Sequence, residues 1–189
     1  PIGGELAQAF RRLGCQVTLF EQADRILTRE DPEAAALVQE AFVREGIELV
    51  LGAEVERVSR ADGEKRIHLR CGGSAREVAV DEILVGVGRA PNVEGLGLET
   101  VGVEHDRSGV QVDDALRTTN PRIFAAGDVC MRWKFTHAAD AAAKIVVRNA
   151  LFPFLPKQKL SGLVMPWCTY TDPEVAHVGL YEPEARERG

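Results

Sequence analysis

Residues 118–129 read Thr-Thr-Asn-Pro-Arg-Ile-Phe-Ala-Ala-Gly-Asp-Val, and this stretch carries the strongest indication of the fold. A polar turn leads into a short apolar run, residues 123–126, which predicts a buried strand. The run stops at Gly127, where a bare backbone permits a ligand to approach closely, and at Asp128, whose carboxylate can accept hydrogen bonds from sugar-like hydroxyls. An ordinary strand end with a turn aspartate has the same pattern, so the surrounding sequence must distinguish the two interpretations.

The start of the chain has a helix–strand pattern. Apolar side chains at helix spacing predict a helix from Ile2 to Leu13, closed by Gly14, and the next apolar run predicts a strand that ends at Glu21. Gly3 stands where the third glycine of G-x-G-x-x-G would fall, and Glu21 stands where an acid binds the adenosine ribose of a dinucleotide. These features predict the second half of a dinucleotide-binding βαβ unit. Its first strand and first two glycines lie outside the sequence, so we expect a fragment of a larger protein.

The following residues continue this pattern and then change it. Asp31-Pro32 predicts the N-cap and first residue of a second helix, and residues 47–51 predict a further parallel strand. Alternation over residues 54–80 predicts an antiparallel β-meander with turns at Ala61-Asp62-Gly63 and Gly72-Gly73. The sequence therefore predicts an α/β fold, with a Rossmann-like portion followed by a meander.

Composition excludes several classes of function. The net charge of −6 over 189 residues argues against nucleic-acid binding, which requires clustered Lys and Arg. The apolar runs are far shorter than a membrane span, so no membrane partner is expected. The four cysteines form no C-x-x-C or C-x4-C pair, which predicts neither a redox dithiol nor a metal site, and isolated thiols indicate a reducing, cytoplasmic location. They are Cys15, Cys71, Cys130 and Cys168.

Three segments in the expected order carry a resemblance to a known family. Gly-Val-Gly-Arg-Ala-Pro-Asn (86–92), followed by residues 119–128, resembles the class I pyridine nucleotide-disulfide oxidoreductases, which include dihydrolipoamide dehydrogenase, glutathione reductase and mercuric reductase. Residues 165–179 resemble the opening strand of that family's dimerisation domain. The sequence around residues 135–137 and 148–152 is most similar to mercuric-reductase-like members.

The resemblance implies a nicotinamide dinucleotide site at the start of the chain. Gly3 would pack against the pyrophosphate at a helix N-terminus, and Glu5 would lie near the nicotinamide amide, although a first-turn acid also suits the helix dipole. Glu21 would bind the ribose hydroxyls and repel a 2′-phosphate, so NAD is expected, NADP is less favoured, and Arg25 alone is too little to reverse this preference. The implied contacts are Ile2, Gly3, Glu5 and Glu21.

The resemblance also implies part of an FAD site. A strand end between the two nucleotide sites would be formed by Gly86, Val87, Gly88 and Arg89, and its glycines would let a ligand approach the backbone closely. Gly127 and Asp128 would hold the ribityl and pyrophosphate region of FAD. A long helix to Leu151 would begin at Thr136, His137 and Ala138, with its N-terminal dipole facing the flavin. His137 is expected to act through its backbone, or only to cap or pack.

The resemblance implies a relay from NAD(P)H to FAD, then to a cysteine pair and a substrate. The C-x4-C pair, the His-Pro and the assisting Glu lie outside this sequence, so no catalytic residue is expected within it. Two alternatives stay open: a flavin NADH oxidase or ferredoxin-reductase-like enzyme without a redox disulfide, and a non-catalytic nucleotide-binding module. The physiological substrate is not encoded in these residues.

The expected organisation has three parts. Residues 1–90 would form the NAD(P)-binding domain, residues 91–160 the C-terminal part of an FAD-binding α/β domain with loose connections at 95–109, and residues 161–189 the start of an α+β dimerisation domain. A single strand over Trp167 to Val178 would have unpaired edges, so we expect self-association and a homodimeric parent enzyme.

Overall fold

A computed structural model describes residues 1–61 and 63–189. Asp62, in the middle of the predicted Ala61–Gly63 turn, lies outside the described residues. The chain divides into two compact units. Unit 1 contains residues 1–87 and 166–189, and unit 2 contains residues 88–165.

Unit 1 begins with two helices and two parallel strands in alternation. They are α1 (Ile2–Arg12), β1 (Thr18–Glu21), α2 (Pro32–Arg44) and β2 (Glu48–Leu51). The strands β1 and β2 pair in parallel over their full length. α2 begins where the sequence predicts it, because the Asp31 side chain accepts a hydrogen bond from an N–H of the first turn.

The core of this part of unit 1 lies under α2. Val38 and Phe42 are fully buried, and they pack with Ile26 and Ile47. The Phe42 ring also lies beneath the start of α1, since a Cβ atom placed on Gly4 would be 3.6 Å from the ring carbon Cζ. Phe42 therefore supports the position of α1.

The predicted meander is confirmed. It consists of β3 (Ala53–Ala61), β4 (Glu64–Cys71) and β5 (Ser74–Val80), paired antiparallel in that order. One face buries Ile67 and Leu69 from the central strand, while the other face carries charged side chains.

The prediction of a strand end at Gly86–Gly88 is wrong. Residues 82–92 form neither strand nor helix. Glycine offers no side chain to pack, and Gly88 has a positive φ of 109°, which takes the backbone out of the extended region. Val87 is accordingly exposed.

Unit 2 contains more short elements than the sequence predicts. Residues 95–109, expected as loose connections, include a 3-10 helix (Leu98–Val101) and the strand β6 (His105–Asp106), which pairs with β7 (Gly109–Val110). Gly109 packs so tightly that an added Cβ atom would lie 2.2 Å from the Val129 carbonyl oxygen. Only glycine fits at that position.

The prediction of a buried strand over residues 123–126 is also wrong. These residues are half-buried, and only Phe124 forms an isolated bridge, to Arg117. Their backbone groups form hydrogen bonds with residues 116–118 and do not join a sheet. A 3-10 turn over Gly127–Val129 follows directly. A four-residue apolar run does not by itself distinguish a sheet strand from such a return of the chain.

The long helix of unit 2 is confirmed as α3 (Thr136–Leu151). Its inner face buries Ala138, Ala142 and Ile145. These side chains pack with Leu116 and Met131, so α3 covers the segment that leads to Asp128.

The chain returns to unit 1 after residue 165. Residues 167–178, predicted as one strand, form a hairpin of β8 (Trp167–Thr169) and β9 (Val175–His177), followed by α4 (Glu182–Arg188). Pro173 lies in the turn between the strands, where its missing N–H cannot interrupt a ladder. Trp167 and Tyr181 donate hydrogen bonds to the two carboxylate oxygens of buried Glu30, at 2.8 and 2.9 Å, which attaches this segment to the rest of unit 1.

Candidate functional site

The first turn of α1 lies against the backbone of Gly86. A Cβ atom placed on Gly86 would lie 3.0 Å from the Gly3 Cα atom and 3.3 Å from the Gly3 nitrogen. The absence of a side chain at residue 86 therefore permits the contact. The N-cap residue of α1, Pro1, provides no side-chain cap. N–H groups of a first helical turn have no intrahelical acceptor, and this polarity suits an anion such as a pyrophosphate. Ile2 is exposed beside them.

Glu21 lies at the carboxyl end of β1, as the sequence predicts. Its Oε1 atom accepts a hydrogen bond from the Ala23 N–H at 3.0 Å, which fixes the carboxylate at the strand end. The Arg25 side chain is turned towards its own loop and donates to the Thr28 carbonyl at 2.9 Å. Carboxyl ends of parallel strands are where nucleotides bind in α/β sheets, so Glu21 has the position that a ribose-binding acid needs.

Glu5 has a partner that the sequence does not reveal. Its Oε1 atom accepts a hydrogen bond from the backbone N–H of Tyr170, at 2.9 Å, in the turn between β8 and β9. The buried side chain of Gln8 bonds twice to the backbone of Asp172 in the same turn. These residues are far apart in the sequence, and no local pattern relates them.

In unit 2 the structure brings Arg89 to Asp128. The Arg89 Nη1 atom donates to Asp128 Oδ2 at 2.9 Å, and both side chains are partly exposed. The sequence places both residues in the candidate site but does not predict this pairing. Because Arg89 bonds to Oδ2, the Oδ1 atom of Asp128 can accept a hydrogen bond from a ligand hydroxyl.

The turn that carries Asp128 is held by residues that no sequence motif marks. The Lys134 Nζ atom donates to the carbonyl oxygens of Asp128 and Met131, at 3.0 and 3.1 Å. The Gly127 N–H points to the Met131 sulfur at 3.3 Å, and a Cβ atom on Gly127 would lie 3.1 Å from the Ala139 Cβ. Gly127 thus serves close packing as well as a positive φ. No spacing in the sequence marks Lys134.

The start of α3 resembles the start of α1. Its N-cap residue, Phe135, provides no side-chain cap, whereas α2 is capped by Asp31. Thr136 and His137 are exposed, and the His137 ring stacks on the Phe135 ring at 5.3 Å between centroids. The Ala138 side chain is fully buried, so this residue can face a ligand only through its backbone.

The thiols of the chain do not form a redox centre in the part that the structure describes, where all four cysteines are unpaired with one another. Burial raises the pKa of the Cys130 thiol to about 11, against a smaller opposing effect of Lys134. A thiol with that pKa is a poor nucleophile at neutral pH. Over residues 1–61 and 63–189, His, Cys, Asp and Glu form no group that could hold a metal ion, and no helix is long and apolar enough to cross a membrane.

A family model and curated relatives match this chain. A family model described as pyridine nucleotide-disulphide oxidoreductase matches residues 1–143. The chain is 39% identical to a mercuric reductase of Lysinibacillus sphaericus, over all of this chain and 34% of the relative. It is also 39% identical to a dihydrolipoyl dehydrogenase of Thermus scotoductus, over all of this chain and 41% of the relative.

A solved structure shares the fold. The HOCl-induced flavoprotein disulfide reductase RclA from Escherichia coli superposes with a TM-score of 0.87 at 31% identity, over all of this chain and 42% of that chain. The present chain thus spans between about a third and two fifths of the length of these relatives.

Proposed function

This chain belongs to the pyridine nucleotide-disulphide oxidoreductase family, and we propose that it carries a nicotinamide dinucleotide site and part of an FAD site. The enzyme to which these sites belong would transfer hydride from NAD(P)H to FAD and then reduce a cysteine pair. When bound, FAD would supply the redox group through which the two electrons of the hydride reach the disulfide form of that cysteine pair. The proposal is supported by relatives named mercuric reductase and dihydrolipoyl dehydrogenase.

The proposal of a dinucleotide site is supported mainly by one contact in unit 1. Gly3, in the uncapped first turn of α1, lies in backbone contact with Gly86, beside the exposed Ile2. The pyrophosphate would bind the N–H groups of this turn, and Glu21 would accept hydrogen bonds from the adenosine ribose. Because a carboxylate repels a 2′-phosphate, NAD is the proposed nucleotide and NADP the less favourable one.

The residues of unit 2 fit the flavin end of the proposed FAD site. Asp128 would accept hydrogen bonds from hydroxyls of the ribityl chain, with Arg89 orienting its carboxylate and Gly127 allowing the approach. Thr136, His137 and Ala138 would present backbone N–H groups at the start of α3, where the helix dipole stabilises negative charge. Val87 and Gly88 would contribute only backbone.

The proposal extends to the organisation of the enzyme. Residues 1–90 would belong to its NAD(P)-binding domain, residues 91–160 to its FAD-binding domain and residues 161–189 to its dimerisation domain. We propose that the enzyme is a homodimer in the cytoplasm, and the isolated thiols agree with that location. The reactive cysteines would lie outside these residues.

Nucleotide titration of the 189-residue chain tests the dinucleotide site. By calorimetry we expect weak binding of NADH, with at least about a tenfold preference over NADPH, and little or no stable binding of FAD. Replacing Glu21 by Ala should remove the preference, because the carboxylate that discriminates is gone. The exposed Glu33→Ala is the matched control and should leave the preference unchanged. Equal binding of NADH and NADPH by the unaltered chain, or no binding of either, would contradict the proposal.

A further inference from the structure

One face of α1, from Glu5 to Arg12, is bonded to the turn between β8 and β9. Glu5 accepts from the Tyr170 N–H at 2.9 Å, and Gln8 accepts from the Asp172 N–H at 2.7 Å and donates to its carbonyl at 2.9 Å. One turn further on, Arg12 donates to the Asp172 carboxylate at 2.7 Å. These positions lie on one side of a helix, so a single face of α1 binds the turn at two of its residues, Tyr170 and Asp172.

The bonds differ in strength because they differ in burial. Gln8 is 3% exposed, and its amide makes paired bonds to the Asp172 backbone and a third bond to Glu45 at 2.9 Å. Buried bonds of this kind are protected from water, and loss of one partner leaves the other unsatisfied. The Arg12–Asp172 ion pair is exposed on both sides and contributes little. Gln8 is therefore the main attachment of the turn.

The attachment fixes one oxygen of Glu5 and leaves the other to a ligand. The Tyr170 N–H occupies Oε1, and a carboxylate can accept further bonds at its second oxygen. Glu5 also lies in the first turn of α1. Without the Tyr170 bond, the side chain would have several rotamers of similar energy.

We propose that Gln8 is a positioning residue, which holds the 170–172 turn so that the Tyr170 N–H orients the Glu5 carboxylate towards the carboxamide N–H₂ of nicotinamide. This inference rests on the proposed dinucleotide site and adds a specificity determinant to it. The turn comes from the end of the chain, more than a hundred residues after α1, so nucleotide recognition depends on the docking of β8 and β9. The nucleotide and the 170–172 turn would both bind the Glu5 carboxylate, so each would stabilise the carboxylate orientation that the other requires.

An analogue without the carboxamide N–H₂ isolates this contact. In 3-acetylpyridine adenine dinucleotide a methyl group replaces the amine, while the pyrophosphate and riboses are unchanged. The unaltered chain should bind NADH at least about tenfold more tightly than the reduced analogue, the value of one hydrogen bond to a charged group. In Gln8→Leu this ratio should fall to about threefold or less, because the affinity for NADH should decrease much more than the affinity for the analogue. Gln16→Leu, an exposed glutamine on the loop after α1, is the matched control and should keep the ratio.

A second measurement needs no variant. Hydrogen exchange at the Tyr170 amide should slow on NADH binding by about threefold or more and change little with the analogue, because only NADH locks Glu5. This measurement decides the matter if Gln8→Leu does not fold.

The outcomes separate the two proposals. Absence of NADH binding by the unaltered chain overturns the dinucleotide site and this inference with it. NADH binding in which Gln8→Leu keeps the full discrimination ratio, or in which both nucleotides protect Tyr170 equally, overturns the role of Gln8 alone. A uniform loss of affinity for both nucleotides in Gln8→Leu, with the ratio unchanged, would show a merely structural role and also overturn it.

Discussion

The two candidate acids of the nucleotide sites are held differently: Glu21 of unit 1 ends a regular strand, whereas Asp128 of unit 2 lies in irregular backbone. Gly3 lies in the first turn of α1 and Glu21 ends β1, and both elements rest on the buried core around Phe42. Asp128, in contrast, lies in a single 3-10 turn, and its carbonyl oxygen accepts a hydrogen bond from the Lys134 side chain. Apolar burial positions the first site, and side-chain hydrogen bonds to backbone position the second.

The difference has a consequence for stability. Apolar packing under a helix involves many contacts, so its loss is felt through the whole unit. A side-chain bond to one turn is local, so its loss should loosen that turn and leave the rest folded. Substitutions in each unit can test whether the two sites really depend on different interactions.

The largest expected effect is that of Phe42→Ala in unit 1. Removing a fully buried ring leaves a cavity under α2 and the start of α1, and should destabilise unit 1 by about 3–5 kcal/mol. Urea unfolding followed by far-UV circular dichroism measures the change. The neighbouring Val43→Ala, whose side chain is 62% exposed, is the control and should change stability by about 0.5 kcal/mol at most. A loss below about 1 kcal/mol in Phe42→Ala would show that the stability of unit 1 does not depend on this core.

A smaller and local effect is expected for Lys134→Met in unit 2. The change removes the donor to the Asp128 and Met131 carbonyls and should weaken the turn by about 1–3 kcal/mol. Hydrogen exchange at the Cys130 and Met131 amides, which both bond to the Gly127 carbonyl, should become faster by about tenfold or more. Lys144→Met, which removes an exposed i,i+4 pair with Asp140, is the control and should not affect these amides. Unchanged exchange in Lys134→Met would mean that packing alone fixes the turn.

The smallest effect concerns the Cys130 thiol beside that turn. Burial raises its pKa to about 11, so its thiolate fraction at pH 8 should be about a hundredfold below that of an ordinary thiol. Alkylation by iodoacetamide, followed by mass spectrometry, should be slow in the folded chain and fast at the same cysteine in urea. Because folding raises this pKa, the contribution to stability is present below about pH 9 and is lost as the pH rises towards 11. Equal alkylation rates in the two states would show that the turn opens readily.

The regular part of the fold could be predicted because its local signals agree. Asp31 and Pro32 mark the start of α2, Gly14 follows the end of α1, and period-two alternation marks the meander. The α/β class and the family are confirmed by the comparisons. The strand ends at residues 86–88 and 123–126 were wrong because a short apolar or glycine-rich run says nothing about whether a neighbouring strand lies in register.

The candidate site was predictable only as a set of separate residues. The glycines and acids occupy motif positions, and the resemblance assigns them roles that the structure leaves as proposals. Gln8 and Lys134 have no motif, since each acts through backbone groups of a partner that only folding brings near.

The sequence alone was enough to assign the family, to order the helices and strands in the regular part of unit 1, and to propose the glycines and carboxylates of the candidate site. These features rest on local periodicity, capping and close approach, which neighbouring residues specify. Three features depend on contacts made by the folded chain. The Tyr170 N–H bonds to Glu5, Arg89 pairs with Asp128, and the stretch before Asp128 is half-buried and does not join a sheet. Such contacts join residues distant in sequence, and their energies depend on burial and alignment that no local pattern contains.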